Sequence, residues 1–370
     1  MFPKTVKCLY MFLKSLALNN FRNYQKLELE FNPKTTVVIG PNTYGKSNLA
    51  EAIFLLSTGK SFRAEKDFEM IKFGEDVARV IGEAGDIKLE AVLAIGQNNG
   101  KNGFLKKLLV NGISRRRIDF AANLSVVLFS PEDLDIIIDS PSLRRNFLDN
   151  VLEQTDREYR LSLINYTKAL RQRNALLERI REVHADSLKT QSFGDEKQLE
   201  YWNNILIENG EKITLKREEF LEFVNSQSKD LFDFMTIYDK SIISHQRLLQ
   251  YKNEEVFAGV TLVGPHRDDF SLSMFDKERQ STHDIKHYGS RGQQRLAILQ
   301  LKLLELLFIE KKLGYRPLLL LDDIFSELDE DHIRLVLEVI DKQQTIITTT
   351  HKEFIPKKIL AKMQIVELKK

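Results

Sequence analysis

One segment of eight residues constrains the fold of this chain more than any other: Gly40-Pro41-Asn42-Thr43-Tyr44-Gly45-Lys46-Ser47. A short β-branched run, Thr35 to Ile39, precedes it, and an apolar stretch with helical character, Leu49 to Leu56, follows it. This order predicts a turn between a buried strand and a helix. Strand and helix patterns also alternate near the other end of the chain, which predicts an α/β fold.

The eight-residue turn matches the pattern GxxxxGK[ST]. In such a loop the glycines allow backbone N–H groups to turn inward around phosphate oxygens. Lys46 then supplies a positive charge at the β and γ phosphates, and the Ser47 hydroxyl is a ligand for Mg²⁺. The loop, together with Asn48 that follows it, is therefore predicted to bind a nucleotide with Mg²⁺.

Composition excludes several classes of protein. Apolar residues make up 42% and charged residues 29%, as in a globular domain. The net charge is only +2, so any DNA site must be a local patch. No apolar run approaches 18 residues, which argues against a membrane span, and Lys14 interrupts the only stretch resembling a signal peptide. Cys8 is the one cysteine, which fits a reducing cytoplasm.

Strand patterns surround a long helical segment. Residues Phe12 to Phe31 alternate loosely around a polar turn, which predicts a β-hairpin. Ser140-Pro141 is a helix-start signal, and roughly 120 residues of helical periodicity follow it. A polar break from His184 to Asp195 divides this segment into two arms, and the β pattern returns after Thr261.

This organisation predicts two domains. Residues 11–139 and 262–370 would form one discontinuous α/β head, and residues 140–261 would form an inserted all-helical lobe. The first ten residues add nothing to the pattern and are expected to be peripheral. Met1 and Met11 both remain open as the native start.

Two carboxylates follow a second apolar strand, Leu318 to Leu321. On a parallel strand beside the phosphate loop, Asp322 would hold Mg²⁺ directly or through water, and Asp323 would orient the attacking water. A solvated acidic turn is the alternative explanation of such a pair. The phosphate loop upstream favours the first interpretation.

A third element, Ser290-Arg291-Gly292-Gln293, precedes a long helical run from Leu296 to Leu307. A serine and a glycine at a helix start present a hydroxyl, free N–H groups and the positive end of the helix dipole, which together form an anion site. An ordinary helix N-cap explains the same residues when they are considered alone. Their position between the phosphate loop and the carboxylates favours the anion site.

In this order the three elements resemble the ATPase heads of the ATP-binding-cassette superfamily, and within it most closely the RecF family of bacterial recombination-repair proteins, which is related to SMC heads. The stretches that carry the resemblance lie between about Met11 and Thr350: Asn20-Phe21-Arg22-Asn23-Tyr24, Ser61-Phe62-Arg63, Pro131-Glu132-Asp133-Leu134, Pro141 with Arg144-Arg145 and Phe147-Leu148-Asp149, Gly264-Pro265-His266-Arg267-Asp268-Asp269, and Leu321-Asp322-Asp323 continuing to Ser326-Glu327-Leu328-Asp329. Transporter ATPases do not share the middle ones. The resemblance implies an ABC-ATPase head with mixed and antiparallel β-sheets around the phosphate loop, plus the helical lobe.

The resemblance also implies an ATP-dependent homodimer. The phosphate loop of one subunit would face Ser290 and Gly292 of the other, so that two ATP molecules with Mg²⁺ are sandwiched and neither subunit has a complete site alone. The implied catalytic residues are Lys46, Asp322, Asp323 and His351, the last of them at the γ-phosphate. The other implied nucleotide contacts are Arg22, Arg63, Gln293 and Asp329.

Two features depart from the pattern of many cassette ATPases. The glutamine of the Q-loop is not evident near Ser130-Pro131-Glu132, which leaves that coupling element unassigned. The second carboxylate is Asp323, as is usual in the RecF family, rather than a glutamate. An aspartate is one methylene shorter and reaches the attacking water less directly, which predicts a weak ATPase.

Two basic clusters are candidates for DNA contacts. The first flanks the hairpin signal Asn111-Gly112 and contains Lys106, Lys107, Arg115, Arg116 and Arg117. The second falls within an arc of about 100° if residues 157–181 form one helix, and contains Arg157, Arg160, Lys168, Arg171 and Arg179. Leu161 and Ile164 intrude on this stripe, and a solvated charged surface is the alternative for both clusters.

The leading hypothesis is a cytoplasmic, ATP-gated protein that grips DNA near a single-strand gap and releases it on slow hydrolysis. The resemblance adds RecR and, through it, RecO as partners in loading the recombinase. One alternative is the ATPase subunit of a membrane transporter, against which the missing Q-loop glutamine and the helical insert argue. Another is an SMC-like tether, but the 242 residues between Ser47 and Ser290 leave little room for a long coiled coil.

Overall fold

The computed structural model describes residues 12–98, 101–121, 123–185, 193–276, 280–326, 342–350 and 360–368, together with positions 333, 336, 340 and 353. Its strands are β1 (Leu13–Phe21), β2 (Tyr24–Glu30), β3 (Thr35–Ile39), β4 (Val77–Ala84), β5 (Ile87–Asn98), β6 (Lys101–Val110), β7 (Ile113–Arg115), β8 (Val126–Phe129), β9 (Met235–Asp239), β10 (Asp269–Asp276), β11 (Ser281–Asp284), β12 (Leu318–Asp322), β13 (Thr345–Thr349) and β14 (Gln364–Glu367). Its helices are α1 (Lys46–Thr58), α2 (Arg117–Phe120), α3 (Asp135–Ile138), α4 (Pro141–Thr155), α5 (Arg157–Ala185), α6 (Phe193–Ser226), α7 (His245–Gln250), α8 (Lys252–Ala258), α9 (Ile285–Tyr288) and α10 (Arg291–Leu313).

Contacts within the chain divide it into two compact units. The first unit consists of Met1–Asp133 with Glu305–Lys370, and the second unit is Leu134–Leu304. The first unit is thus discontinuous in sequence. The domain limits expected from the sequence, 11–139 with 262–370 around 140–261, remain a prediction.

The first unit contains two sheets. A five-stranded parallel sheet has the order β14-β3-β13-β12-β8. All residues of β12 and β13 are buried, as expected for parallel strands covered on both faces. The other sheet is antiparallel, with the order β2-β1-β4-β5-β6-β7. Helix α1 contacts strands of both sheets, and one apolar core includes side chains from all three elements.

A buried glutamine joins distant segments of the first unit. Gln344 lies directly before β13, and its Oε1 accepts a hydrogen bond from the backbone N–H of Leu13 (2.8 Å). Its Nε2 donates to the carbonyl oxygens of Leu13 (2.8 Å) and Asn32 (3.1 Å). Both amide protons and the amide oxygen are therefore used. The start of β1 is fixed to the start of β13 across 331 positions of sequence.

Both hairpins predicted from the sequence are present. Strands β1 and β2 pair antiparallel, with Phe21 opposite Tyr24. Strands β6 and β7 are joined by Asn111 and Gly112, whose φ angles are 51° and 78°. Positive φ at both central residues is the turn geometry that the Asn-Gly pair favours.

The second unit is mainly helical but also contains a sheet. Helices α5 and α6, of 29 and 34 residues, pack against each other. Strand β9 lies inside the segment 140–261, which the sequence predicts to be helical throughout, and it pairs with β10 in a three-stranded sheet. Thr236 of β9 is buried between the exposed Met235 and Ile237. This alternation covers only five residues and is easily missed beside two long helical patterns.

Candidate nucleotide-binding site

The carboxyl ends of the parallel strands meet at one edge of the five-stranded sheet. The predicted phosphate loop follows β3, and Asp322 is the last residue of β12. The strand between them, β13, aligns Thr348 with Asp322 on one side and with Val38 on the other. The fold therefore brings together the loop and the carboxylates, which lie far apart in the sequence.

The phosphate loop depends on a glycine at its end. Gly45 has a φ of 94° and caps α1, and a Cβ there would lie 2.5 Å from Oδ1 of Asn23 and 2.8 Å from the ring of Tyr24. The Tyr24 hydroxyl donates to the carbonyl oxygen of Gly45 (3.0 Å). The Asn23 amide donates to the carbonyl oxygen of Thr43 (3.4 Å), a residue that also has left-handed backbone. The β1–β2 turn thus supports the loop directly.

Lys46 is the first residue of α1 and is only 6% exposed. Its Nζ donates to the carbonyl oxygens of Gly40 (2.8 Å) and Pro41 (3.1 Å). Burial lowers the pKa of this ammonium, and the charges of Asp323 and Asp322 oppose the shift. The ammonium is therefore held across the loop, where it can exchange carbonyl oxygens for phosphate oxygens.

Asp322 is buried and bonded to two hydroxyl groups. Its Oδ1 accepts a hydrogen bond from Oγ1 of Thr348 (2.5 Å), and its carboxylate is also hydrogen-bonded to the side chain of Ser47. Burial raises the pKa of Asp322, and these two hydrogen bonds partly oppose the rise.

Ser47 and Asp322 fit the predicted Mg²⁺ ion. A hydroxyl and a carboxylate oxygen in contact are ligands that Mg²⁺ accepts beside phosphate oxygens and water. Among the residues that the structure describes, no group of three or more His, Cys, Asp or Glu side chains is arranged to hold a metal ion. Ser47 and Asp322 would hold the metal together with phosphate oxygens of the nucleotide.

Asp323 follows β12 with a left-handed backbone, at a φ of 53°. Its N–H donates to the carbonyl oxygen (3.1 Å) and to Oγ1 (3.2 Å) of Thr348. The charge of Asp323 acts on the Lys46 ammonium more strongly than the charge of Asp322 does. The second carboxylate therefore acts electrostatically on the cation of the loop.

Arg22, a predicted nucleotide contact, is engaged within the protein. Its guanidinium donates to both oxygens of the buried Glu51 (2.8 and 2.6 Å) and to the carbonyl oxygen of Glu69 (2.7 Å). The Ser61 hydroxyl donates to the same carboxylate (2.5 Å). Arg22 thus fastens the β1–β2 turn to α1, and its contact with nucleotide stays a prediction.

Arg63 is exposed beside the loop. Its Nη1 lies 3.5 Å from Oδ1 of Asn48, in the first turn of α1, and its charge lowers the pKa of Asp322. Both observations place an exposed cation near Asp322. Contact between Arg63 and nucleotide also stays a prediction.

Four residues that support the site were not predicted from the sequence: Asn23, Tyr24, Glu51 and Thr348. The first two lie in the stretch Asn20–Tyr24 that carries the family resemblance, so a signal was available for them. Glu51 stands alone among apolar residues of the predicted helix, a pattern that can indicate a buried ion pair. Thr348 has no local signal, because its role depends on strand pairing.

The predicted anion site in the second unit is a capped helix start. The Gln293 side chain accepts from the Ser290 N–H (2.8 Å), and the Gln293 N–H donates to Oγ of Ser290 (3.3 Å), a reciprocal capping box. Ser290, Arg291 and Gly292 are exposed. A Cβ at Gly292 would meet only Oγ of Ser290, at 3.9 Å, and its φ is not left-handed. Nothing among the described residues requires a glycine at position 292.

The stretch Gly264–Asp269 is held by a buried arginine. Arg217 donates to the carbonyl oxygen of Pro265 (2.7 Å), to Asp268 (3.1 Å) and to Asp149 (2.9 Å), and only 3% of its side chain is exposed. Tyrosine hydroxyls complete the same network. These charged hydrogen bonds fix the loop inside the second unit, so this stretch, which carries part of the family resemblance, has a structural role there.

The first basic cluster is smaller than predicted. Nζ of Lys106 contacts Asp67 (2.5 Å) and the carbonyl oxygen of Gly59 (3.0 Å), so its charge is compensated. Arg117 is half-buried and packs beside Gly59. A Cβ added at Gly59 would lie 2.9 Å from Cγ of Arg117. The exposed members are Lys107, Arg115 and Arg116.

The second basic cluster is not a continuous stripe. Arg160 is 4% exposed and donates to the carbonyl oxygen of Glu153, which corrects its predicted place on an exposed surface. Arg179 is paired with Asp195. The exposed members are Arg157, Lys168, Arg171 and the paired Arg179, and Leu161 and Ile164 are exposed beside them.

Two predicted site residues, Asp329 and His351, lie outside the described residues. Within the described part of the chain, no helix is both long enough and apolar enough to cross a membrane.

The parallel sheet, its phosphate loop and the paired carboxylates define an ATPase head of the ATP-binding-cassette and SMC class. The model of one protein family, the RecF/RecN/SMC N-terminal domain, matches residues 12–369. The chain belongs to this family and, within it, to the RecF proteins.

Individual relatives support this assignment. The chain is 37% identical over 353 residues to a DNA replication and repair protein RecF of Agathobacter rectalis, and 36% identical over 363 residues to that of Bacillus thuringiensis. Each comparison covers 92% of both chains.

Solved structures agree. One structure is named as the recombination mediator protein RecF-ATP in the RecFOR pathway, and it matches with a TM-score of 0.81 at 32% identity. A second, named as RecF-ATPrS in the same pathway, matches with a TM-score of 0.80 at 33% identity. Both matches cover 94% of each chain. An SMC head domain of Pyrococcus furiosus matches in fold alone, with a TM-score of 0.51 at 17% identity over 96% of this chain and 93% of that one. The fold class and the family predicted from the sequence are confirmed.

Proposed function

We propose that this protein is an ATP-gated, DNA-binding protein of recombinational repair with weak ATPase activity. ATP with Mg²⁺ closes a homodimer, the closed dimer holds DNA near a single-strand gap, and slow hydrolysis releases it. Relatives named as DNA replication and repair proteins and as the recombination mediator of the RecFOR pathway support this process. RecR and RecO are therefore the proposed partners, and the cytoplasm is the proposed compartment.

The assembled phosphate site carries this proposal. Lys46 donates hydrogen bonds across the loop, and the side chains of Ser47 and Asp322 are hydrogen-bonded to each other. The Asp323 carboxylate interacts electrostatically with Lys46. In this class of site, phosphoryl transfer requires a cation, ligands for the metal ion and a second carboxylate. The direct test is DNA binding measured with ATP, with ADP and without nucleotide, and the proposal requires that ATP give the tightest binding.

The exposed start of α10 supports the homodimer. Ser290 and Gly292 face solvent, and a Cβ at Gly292 would meet only Oγ of Ser290, at 3.9 Å. No contact within the described structure requires glycine at this position. A glycine here allows a group from outside the chain, such as the γ-phosphate bound to a partner subunit, to approach the helix start closely.

Gly292→Ala is expected to block ATP-dependent dimerisation without harming the fold. Alanine favours a helix by up to about 1 kcal/mol over glycine, and its methyl group would meet only Oγ of Ser290, at an ordinary contact distance of 3.9 Å, so thermal stability should be unchanged or slightly higher. ATP binding by the monomer should be unchanged. Sedimentation velocity with a slowly hydrolysed ATP analogue measures the loss of dimer.

Gly96→Ala is the matched control, because Gly96 also has open space at its Cβ and no positive φ, but lies on β5. It should dimerise like the parent protein. If Gly292→Ala dimerises equally well, the partner does not approach this helix start, and the proposed composite site is incorrect.

Arg115→Glu with Arg116→Glu is expected to weaken duplex binding and to flatten its salt dependence. Both side chains are exposed, so the fold and ATP affinity should be unaffected. Each lost phosphate contact should reduce the slope of log K against log salt by about 0.9.

Lys168→Glu with Arg171→Glu makes the same charge change on the exposed face of α5. Titration of a labelled gapped duplex at several salt concentrations compares the two double variants. A reduced slope only in the α5 variant would assign DNA to that helix and exclude the β6–β7 hairpin.

The two alternatives receive less support. The relatives reported above are repair proteins and SMC heads rather than transporter subunits. A long tether is also disfavoured, since the 29 residues of α5 span only about 44 Å at 1.5 Å per residue.

A further inference from the structure

One hydroxyl group connects the two residues of the carboxylate pair. Thr348 is 2% exposed, and its Oγ1 donates to Oδ1 of Asp322 (2.5 Å). The same Oγ1 accepts a hydrogen bond from the N–H of Asp323 (3.2 Å). A hydroxyl has one proton, so donation to Asp322 commits it and leaves a lone pair directed at Asp323. The Thr348 hydroxyl therefore donates to Asp322 and accepts from Asp323, and these directions cannot be exchanged.

The bridge stabilises an otherwise disfavoured turn. Asp323 has a φ of 53°, a conformation that aspartate tolerates but does not prefer. Its N–H is held by both Oγ1 and the carbonyl oxygen of Thr348 (3.1 Å), so β13 determines the direction in which the chain leaves β12. The orientation of Asp322 and the turn at Asp323 thus share one support.

We propose that Thr348 is a positioning residue for the two carboxylates. Its hydroxyl orients the Asp322 carboxylate for the metal ion and holds the turn at Asp323. This inference rests on the proposed ATPase function, and it assigns to Thr348 a role in metal binding and in the hydrolytic step rather than in nucleotide affinity.

A second threonine on the same strand provides a matched comparison. Thr345 is also buried, and its hydroxyl donates to the backbone carbonyl oxygen of Ile340 (3.2 Å). Replacing either threonine by valine keeps the shape and removes one buried hydroxyl. Both changes should cost stability to a similar extent, but only the change at position 348 removes a bond to a carboxylate.

The experiment compares Thr348→Val, Thr348→Ser and Thr345→Val in the full-length protein. Thr348→Val is expected to lower kcat by tenfold or more and to weaken Mn²⁺ binding in the presence of ATP by 10- to 100-fold, the range seen when a residue that orients a metal ligand is lost. Affinity for ATP in the absence of the metal should change little, because the loop and Lys46 are untouched. Thr348→Ser keeps the hydroxyl and should restore both values. Mn²⁺ binding is measured by electron paramagnetic resonance.

Each outcome decides a different claim. Equal kcat and Mn²⁺ affinity in Thr348→Val and the parent protein would overturn the positioning role, and so would equal losses in Thr348→Val and Thr345→Val. Absence of hydrolysis in the parent protein would contradict the proposed function, while Mn²⁺ affinity would still decide the role of Thr348. If Thr348→Val does not fold, Thr348→Cys replaces it, because cysteine has a similar size and a weak hydrogen-bond donor. Its kcat and its Mn²⁺ affinity are then expected to be lower than those of the parent protein.

Discussion

Replacement of Lys46 by alanine is expected to reduce ATP affinity by about 100-fold or more. The Nζ is already held across the loop by the carbonyl oxygens of Gly40 and Pro41, so the parent protein presents a preformed cation to the β and γ phosphates. A 100-fold loss corresponds to about 2.7 kcal/mol, within the range for removing one partner of a close charge pair. The loop carbonyls can turn to solvent, and the fold should remain intact.

Isothermal titration calorimetry with ATP and Mg²⁺ measures this loss. Lys66→Ala removes an exposed cation from the same unit and serves as the control. Lys46→Arg keeps the charge but substitutes a longer, planar group, so it should bind ATP while hydrolysing it poorly. Affinity of Lys46→Ala equal to that of the parent protein would mean that ATP does not occupy this loop.

Asp323→Asn is expected to separate ATP binding from ATP hydrolysis. Asparagine tolerates the left-handed backbone at this position as well as aspartate does, so the turn at φ 53° should be retained. Lys46, Ser47 and Asp322 are unchanged, and ATP with Mg²⁺ should still bind. Loss of the carboxylate should lower hydrolysis by about 100-fold or more, on the scale of general-base contributions.

The same variant tests whether hydrolysis times release from DNA. It should accumulate as an ATP-bound dimer and dissociate from a gapped duplex more slowly than the parent protein after dilution into ATP. Asp322→Asn is the informative comparison, because it should lose the metal ion and fail to form the stable dimer. Rapid dissociation of Asp323→Asn, with its ATPase abolished, would show that release has another cause.

Local sequence patterns predicted the parts of the site that are local in the chain. The loop from Gly40 to Ser47 lies between a strand and a helix, and its chemistry follows from eight adjacent residues. Asp322 ends an apolar strand, as predicted. The position of Thr348 could not be predicted, since it depends on the register between β12 and β13, which no adjacent residues encode.

Predictions of surface charge were less accurate because burial depends on what packs against a helix. Helical periodicity placed Arg160 on an exposed stripe, but the structure buries its guanidinium against the carbonyl oxygen of Glu153. Leu161 and Ile164, which the same periodicity placed on that stripe, are exposed as it predicted. The half-buried Arg22 and the buried Glu51 likewise form a pair between segments 29 positions apart, and neither residue indicates its partner in the sequence.

The strand order of the parallel sheet has a consequence for synthesis of the chain. Strands β3 and β8 do not pair with each other, because β13 and β12 lie between them. The nascent chain therefore carries two unpaired apolar strands until residues 318–349 leave the ribosome, although the whole of the second unit, Leu134–Leu304, is made in the interval. At 5–20 residues per second, the 189 positions from Phe129 to Leu318 take about 10 to 40 s. During that time β3 and β8 have no partner strand between them, and the nucleotide site can assemble only after residues 318–349 have been translated.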